Sequence, residues 1–448
     1  MDIGHGWVEK FHRDQLVVAQ SELAILQRML RELHVTWADV DVSPALRLAR
    51  ITGLGGVDAA ASALLGDPRI GPDLHRHRAD REKALAAHQA AGPDGQLSTL
   101  ALLIKGIQLR FAVHYPGWQI RIGKNYRPSL VKGYPHIGGG EGAPTPTSDD
   151  FTKAADVAHH NPQPGRGVRV GLLDTKLFRH ERLADHYVGR EEDLLRAGQR
   201  DFTEFDGHCA FVASCILQQA PDAQLYLRHV LDSLGDGSAW DAAVAIADMA
   251  QSGLDVVNLS FGEFMTDDNT APMVLEAAVR RFGPETVIIA AAGNNGDAGH
   301  LPSGRQLQGV APDTKAYPAA LANVIGVGAM DADGDLAPFT PRPAPWISLY
   351  ARGTDLNGAY LRGTVAVATT EQDPDGTQRT RDQVFDGTAN WAGCSFAAGI
   401  VTGVIAAGVI PGRRSARDVL GGLLHPDSGS AAHAVVASPP PLPSAPPR

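Results

Sequence analysis

Cysteine is scarce in this chain, with three residues (Cys209, Cys215 and Cys394) in 448. An odd, sparse set with no CxxC spacing argues against a disulfide scaffold and against a zinc site, and it fits a reducing compartment. Positive charge is also short: 40 Lys and Arg stand against 50 Asp and Glu, a net charge of -10. Binding to phosphate backbones needs a basic face, so no nucleic-acid partner is expected. No run reaches the roughly 18 apolar residues of a membrane span. Met1 to Asp14 lacks the apolar segment of a secretory signal. The expectation is a cytoplasmic protein, with non-classical export left open. No internal repeat is evident. The ordinary hydrophobic and charged fractions, 44% and 20%, are those of a globular chain with room for two or three domains.

Along the chain, Gln15 to Leu33 has eight large apolar residues from Val17 to Leu33 at mostly helical spacing, which predicts an amphipathic helix with a packing face. That face needs a partner, either the rest of the chain or another protein. Shorter helical patterns continue to Ala91. Leu100 to Ile122 then reads as strand, with Val113, Tyr115, Trp118, Ile120 and Ile122. Gly138 to Asp150 is rich in Gly, Pro, Thr and Asp and reads as a linker. Beyond Gly165, continuous apolar runs (168–173, 224–230, 255–259, 286–291, 323–328) alternate with helical ones. That rhythm predicts a parallel α/β sheet covered by helices on both faces. The organisation read from the sequence is therefore a helix-rich extension (1–137), a linker (138–164), an α/β domain (165–424) and a Pro-rich tail (425–448).

Within 389–403 the chain changes from bulky and polar to small and apolar. Ser395 stands at the change, behind Gly393-Cys394 and ahead of Phe396-Ala397-Ala398-Gly399. A helix with so few large side chains is a buried one. A serine on its first turn meets free N–H groups and the positive end of the dipole, a good setting for a hydroxyl that becomes an alkoxide. Taken alone, Ser395 reads equally well as a simple N-cap. Upstream, Asp174 ends an apolar strand and His208 opens a helix after Asp206-Gly207. Asn294 follows the buried strand in Ala290-Ala291-Ala292-Gly293-Asn294-Asn295-Gly296. Serine chemistry needs a base, a group that orients the base, and donors for the oxyanion. Asp, His and Ser at the edges of one α/β core, with an Asn between them, meet that need.

These blocks resemble those of the subtilisin-like serine proteases, the subtilase family, over about Gly165 to Leu423. Gly171-Leu172-Leu173-Asp174-Thr175 resembles the aspartate block and Gly207-His208-Cys209-Ala210 the histidine block. Val256-Val257-Asn258-Leu259-Ser260-Phe261-Gly262 resembles the strand that pairs with substrate, and Gly393-Cys394-Ser395 the nucleophile block. The order Asp, His, Ser is the subtilisin order. The resemblance implies a subtilisin-like fold and a serine endopeptidase acting on protein or peptide. It implies Asp174, His208 and Ser395 as triad, Asn294 as oxyanion donor, and Ser260, Phe261 and Gly262 as the substrate strand, with Phe261 narrowing the pocket before the cut. Lys176, Cys209-Ala210, Cys394 and Gly399-Ile400 depart from the family's usual residues without removing any of these. The competing reading is a subtilase fold without catalysis, serving as a binding module.

Many subtilases bind calcium, and Asp331-Ala332-Asp333-Gly334-Asp335 alternates carboxylates. No Glu follows at EF-hand spacing, so a hairpin turn is expected, and no cofactor or metal is required. Subtilases also commonly carry an N-terminal segment that assists folding and fills the cleft until it is removed. The helix-rich start and the missing export signal favour a permanent domain instead.

Overall fold

Gln15-Leu16-Val17-Val18, expected to start a helix, is extended. The computed structural model describes residues 11–87, 97–130, 143–148, 163–264, 271–296, 310–372, 378–425 and 435–436. The N-terminal unit runs β1 (Phe11–Ala19), α1 (Leu23–Glu32), β2 (Asp39–Ser43), β3 (Leu48–Thr52), α2 (Val57–Leu65), α3 (Gly71–Ala87), α4 (Thr99–His114) and β4 (Ile122–Tyr126). Its antiparallel sheet has the order β2-β3-β1-β4. Successive residues of a strand face opposite sides. Leu16 and Val18 join Leu26, Leu30, Leu103 and Phe111 inside the unit, while Val17 joins Leu173, Trp240 and Phe261 of the following domain. A strand buried on both faces is apolar at every position, which is why its period looked helical. The apolar face of α1 is therefore spent within its own unit, and the surface that docks on the rest of the chain belongs to the sheet.

Residues 99–114, expected as strand, are helical. Ser98 caps that helix by accepting from Ala101 N at 3.2 Å, as N-cap serines do. A Cβ at Gly106 would lie 2.7 Å from Leu64 Cδ1. The glycine that weakens the helical signal is there to let α4 lie close on α2.

Two short strands follow, β5 (Ser129–Leu130) and β6 (Thr145–Pro146), and then the α/β domain. It comprises β7 (Arg169–Asp174), β8 (Tyr187–Val188), β9 (Phe202–Thr203), α5 (His208–Gln219), β10 (Gln224–His229), α6 (Ala239–Met249), β11 (Val256–Leu259), β12 (Phe261–Phe264), α7 (Met273–Val279) and β13 (Val287–Ala291). It continues with β14 (Ala316–Tyr317), β15 (Ile325–Met330), β16 (Ile347–Arg352), the long hairpin β17 (Leu356–Gln372) and β18 (Gln378–Trp391), α8 (Cys394–Gly408), α9 (Ala416–Leu424) and β19 (Val435–Val436). Most of the expected linker and all of 438–448 lie outside the described residues.

The main sheet has eight strands in the order β19-β16-β15-β13-β11-β7-β10-β8, parallel throughout except for β19. Val170, Leu172, Val256 and Ile289 face α5 and α8, while Leu173, Val257, Leu259 and Ile288 face α6 and α7. Apolar residues on both strand faces thus take a helix layer each. The strand order reverses beside β7, so the carboxyl ends of β7 and β11 form the crevice where such sheets place their sites. The segment 331–387, expected as loops and hairpins, contributes β16 to the sheet and most of the hairpin that leads into α8. Asp331 Oδ1 accepts from Asp333 N and Asp335 N at 3.0 and 2.9 Å, closing a tight turn between β15 and the next segment.

A Cβ at Gly403 of α8 would lie 2.5 Å from Ile216 O and 2.7 Å from Gln219 Cβ, both on α5. The Gly403→Val protein should therefore lose stability by about 1–3 kcal/mol or more, the usual cost of overpacking a close contact. Denaturant unfolding of the two proteins checks this; equal midpoints would show that α5 and α8 can separate freely.

Candidate active site

Asp174 sits at the carboxyl end of β7 and His208 at the first position of α5. His208 Nδ1 lies 2.8 and 3.0 Å from the two Asp174 oxygens, so Nδ1–H donates to the carboxylate and Nε2 is left for chemistry. Thr175 completes the support. Its N–H donates to Asp174 Oδ1 at 2.7 Å, and its hydroxyl lies 3.2 Å from the same oxygen and 3.1 Å from Phe205 O. Cys209 N donates to the Thr175 hydroxyl at 3.3 Å, tying the start of α5 to the end of β7. The His208 ring is held by Phe396 and Trp391, with centroids at 5.4 and 5.6 Å.

Ser395 lies on the first turn of α8 and is 2% exposed. Its hydroxyl donates to Ser260 O at 3.3 Å. The structure thus joins Asp174 to His208 and Ser395 to Ser260, with the Ser395 hydroxyl turned to the strand rather than to the imidazole. Ser260 Oγ lies 3.1 Å from Ser395 O and 2.8 Å from Asn258 Oδ1. Asn258 Nδ2 donates to Thr402 Oγ1 at 3.1 Å, and that hydroxyl donates to Ala398 O at 2.8 Å. This buried network fastens the end of β11 to α8. Asn258 and Thr175 stand within the family blocks, but nothing in the sequence marked Thr402, because its role depends on a contact far along the chain.

Asn294 follows β13, and its Oδ1 accepts from Cys394 N at 2.9 Å. That bond fixes the carboxamide beside Ser395 and leaves its NH2 as the donor end. Phe261 is fully buried against Tyr126, Leu231, Trp240 and Tyr317. Its ring therefore lies within the core, and its backbone pairs with Leu130. β12 pairs with β14 on one edge, Glu263 opposite Tyr317, and the Tyr317–Pro318 bond is cis. Lys176 lines a cavity of about 600 Å³ with Leu231, Asp232, Asp236 and Asp241. That departure from the family pattern therefore alters a cavity wall beside the site and leaves the Asp174–His208 pair intact.

A parallel α/β sheet with an Asp–His pair at its switch point, and a serine opening the next buried helix, is the architecture of a serine hydrolase. A model of the subtilase family matches residues 165–409. The chain belongs to the subtilase family, whose members are serine proteases acting on protein or peptide. Subtilisin DY from Bacillus licheniformis is 27% identical over 274 residues, covering 54% of this chain and 90% of that protein. Subtilisin Savinase from Lederbergia lenta is 29% identical over 221 residues, covering 47% of this chain and 73% of its own length. An alkaline protease from Alkalihalobacillus alcalophilus is also 29% identical, and the match spans 52% of its length. Among solved structures, fervidolysin from Fervidobacterium pennivorans, a keratinolytic enzyme related to subtilisin, superposes with a TM-score of 0.51 at 16% identity. That likeness covers 90% of this chain and 55% of the other, and it concerns the fold. No helix of the described residues is long and apolar enough to cross a membrane.

All three cysteines are buried and free. Burial raises their thiols: Cys394 to about 12, and Cys209 and Cys215 well above the usual thiol range. The thiolate is the reactive form, so iodoacetamide at pH 8 should leave the native protein unmodified and label all three thiols after denaturation. Mass spectrometry reads this directly. Rapid native labelling of Cys394 would place it in an open cleft.

Proposed function

We propose that the chain is a serine endopeptidase in which Asp174, His208 and Ser395 act as a triad and Asn294 supplies the oxyanion donor. The 2.8 Å bond from His208 Nδ1 to Asp174, on a ring packed against Phe396 next to Ser395, carries this reading. Rotation of the Ser395 side chain away from Ser260 O brings its hydroxyl to His208 Nε2. The proton passes to Nε2 as Oγ attacks the peptide carbonyl, and Asp174 stabilises the imidazolium. Asn294 Nδ2 and the Ser395 N–H, free at the helix start, receive the oxyanion. His208 then protonates the leaving amine, and water resolves the ester by the same steps.

The Ser395→Ala protein should fold, because Ala suits α8, and should lose both peptide hydrolysis and labelling by a fluorophosphonate. Asp174→Asn should lower kcat by ~10⁴, and Asn294→Ala by about 10²–10³ with little change in KM. A KM effect alone would remove Asn294 from the oxyanion role. The Ser395 hydroxyl on Ser260 O favours a second reading, a binding module without catalysis. Failure of the wild-type protein to react with the probe after cleavage beyond Leu130, with its fold shown intact by circular dichroism, would favour it.

The N-terminal unit acts on the same cleft. Asn125 Oδ1 accepts from Trp240 N at 3.0 Å, capping α6, and Trp240 Nε1 donates to Asp41 Oδ2 at 2.8 Å. From that dock the chain enters the substrate position. Gly237 N donates to Pro128 O at 2.9 Å, Ser129 bridges Asp236, and Ser129 and Leu130 pair with Gly262 and Phe261. A peptide substrate would add a strand in the same place, so residues 128–130 keep it out. The intact chain should react with the fluorophosphonate at least tenfold more slowly than protein cut between Leu130 and Thr145 and stripped of the N-terminal piece. Equal rates would show that β5 does not restrict entry.

A further inference from the structure

We propose that the seam between the N-terminal unit and α7 binds an amphipathic organic anion, an oxyanion head on an apolar body. Its ligand locks the unit onto the α/β domain. The site is separate from the triad and stands whether or not Ser395 is a nucleophile.

The seam holds a cavity of about 460 Å³, walled by α3, α4 and β4 on one side and by Ala271, Met273 and Glu276 on the other. Small-molecule pockets fall in the same range, about 300–1,000 Å³. Helical spacing aligns the walls. His77 and Arg81 stand four residues apart on α3, and Ala101, Lys105 and Gln108 follow at steps of four and three on α4.

Five lining side chains are basic, His77, Arg81, Lys105, Arg121 and Lys124, against one carboxylate, Glu276. The whole chain has the opposite balance, a net charge of -10, so the excess is local. Glu276 is also paired with Arg280. Lys124 is 4% exposed and lies over the Phe11 ring, 4.1 Å from its centroid. Arg81, Lys105 and Arg121 meet no carboxylate at ion-pair distance among the described residues. Arg81 Nε is buried with no hydrogen-bond partner among them. Buried donors are normally satisfied, and cations gathered in a partly enclosed space repel one another. An oxyanion answers both, because guanidinium and ammonium groups hold it by charge-assisted hydrogen bonds. Between the cations the wall is apolar, with Leu97, Ile104, Ile120, Tyr126 and Met273. A bare inorganic ion leaves that surface in water, whereas an aliphatic body covers it and gains affinity from the burial. Pockets of this mixed kind take orientation from a few polar groups and most of their contact from apolar ones.

The ligand's effect follows from where the seam lies. Tyr126, in the wall, stands three residues before Ser129, which pairs with Gly262 on β12. Asn125, beside it, caps α6 through Trp240 N. A ligand that touches both sides of the seam binds the docked arrangement and not the separated one. It therefore strengthens docking by the factor 1 + [L]/Kd, and β5 stays on β12 while the ligand is bound.

Octanoate is the probe, with acetate as the head alone and octanol as the body alone. Calorimetric titration of the intact chain should show one saturable octanoate site. Acetate and octanol should bind at least about tenfold more weakly, each lacking one half of the contacts. Lys105→Gln/Arg121→Gln should weaken octanoate by at least about tenfold, the loss expected for charge-assisted bonds. Arg76→Gln removes an exposed cation of α3 outside the cavity and should leave the affinity unchanged. In protein cleaved beyond Leu130, octanoate at about ten times its Kd should tighten association of the two pieces roughly tenfold. Absence of saturable octanoate binding at millimolar concentration overturns the site, as does an equal loss in Arg76→Gln. Octanol binding as tightly as octanoate overturns the anion. Unchanged association of the pieces overturns the lock. Should the double variant lose its fold by circular dichroism, the three probes on the wild type decide the charge requirement without it.

Discussion

The close approach of α8 to α5 is the constraint on which the rest of the molecule depends. Ser395, the proposed nucleophile, opens one helix and His208, the proposed base, opens the other, and both helices lie on the same face of the sheet. Their separation is set where small residues replace side chains, at Gly403 over Ile216 O and at Gly399 over Cys215 Cβ, which a Cβ would meet at 3.1 Å. A helix with such a surface has no polar face and is stable only inside a filled layer. The buried bond from Asn258 to Thr402 pins the same helix to β11. Buried polar groups must be satisfied, so this bond also fixes the register of α8 along the sheet. The positions of Ser395 and Ser260 follow from it.

Beside that arrangement β12 and β18 present backbone edges, and the protein pairs both with segments of its own chain. β5 pairs with β12 next to Ser260, and β6 pairs with the end of β18. Strand addition has little side-chain specificity of its own, so a neighbouring segment of the same chain competes at high effective concentration with any substrate. The dock on α6 through Asn125, Asp41 and Trp240 supplies the rest of the hold. The near-complete burial of Ser395 and His208 fits a cleft already occupied.

The sequence by itself determined the α/β core and marked the residues proposed to bear the chemistry. Continuous apolar strands can only be doubly covered, and Asp174, His208, Asn294 and Ser395 each stand at a strand or helix end, where a short local block shows them. It did not determine the N-terminal sheet, since Leu16-Val17-Val18, buried on both faces, has no alternation to read. Nor did it reveal α4, whose Gly106 answers to Leu64 on another helix. Thr402 was silent for the same reason: it matters through Asn258, a partner brought near by folding. The pairing of 129–130 and 145–146 with β12 and β18 belongs wholly to the tertiary structure. Two-residue strands carry no periodicity, and backbone hydrogen bonds are available to any sequence, so only the docking of the N-terminal unit could decide where those strands would lie.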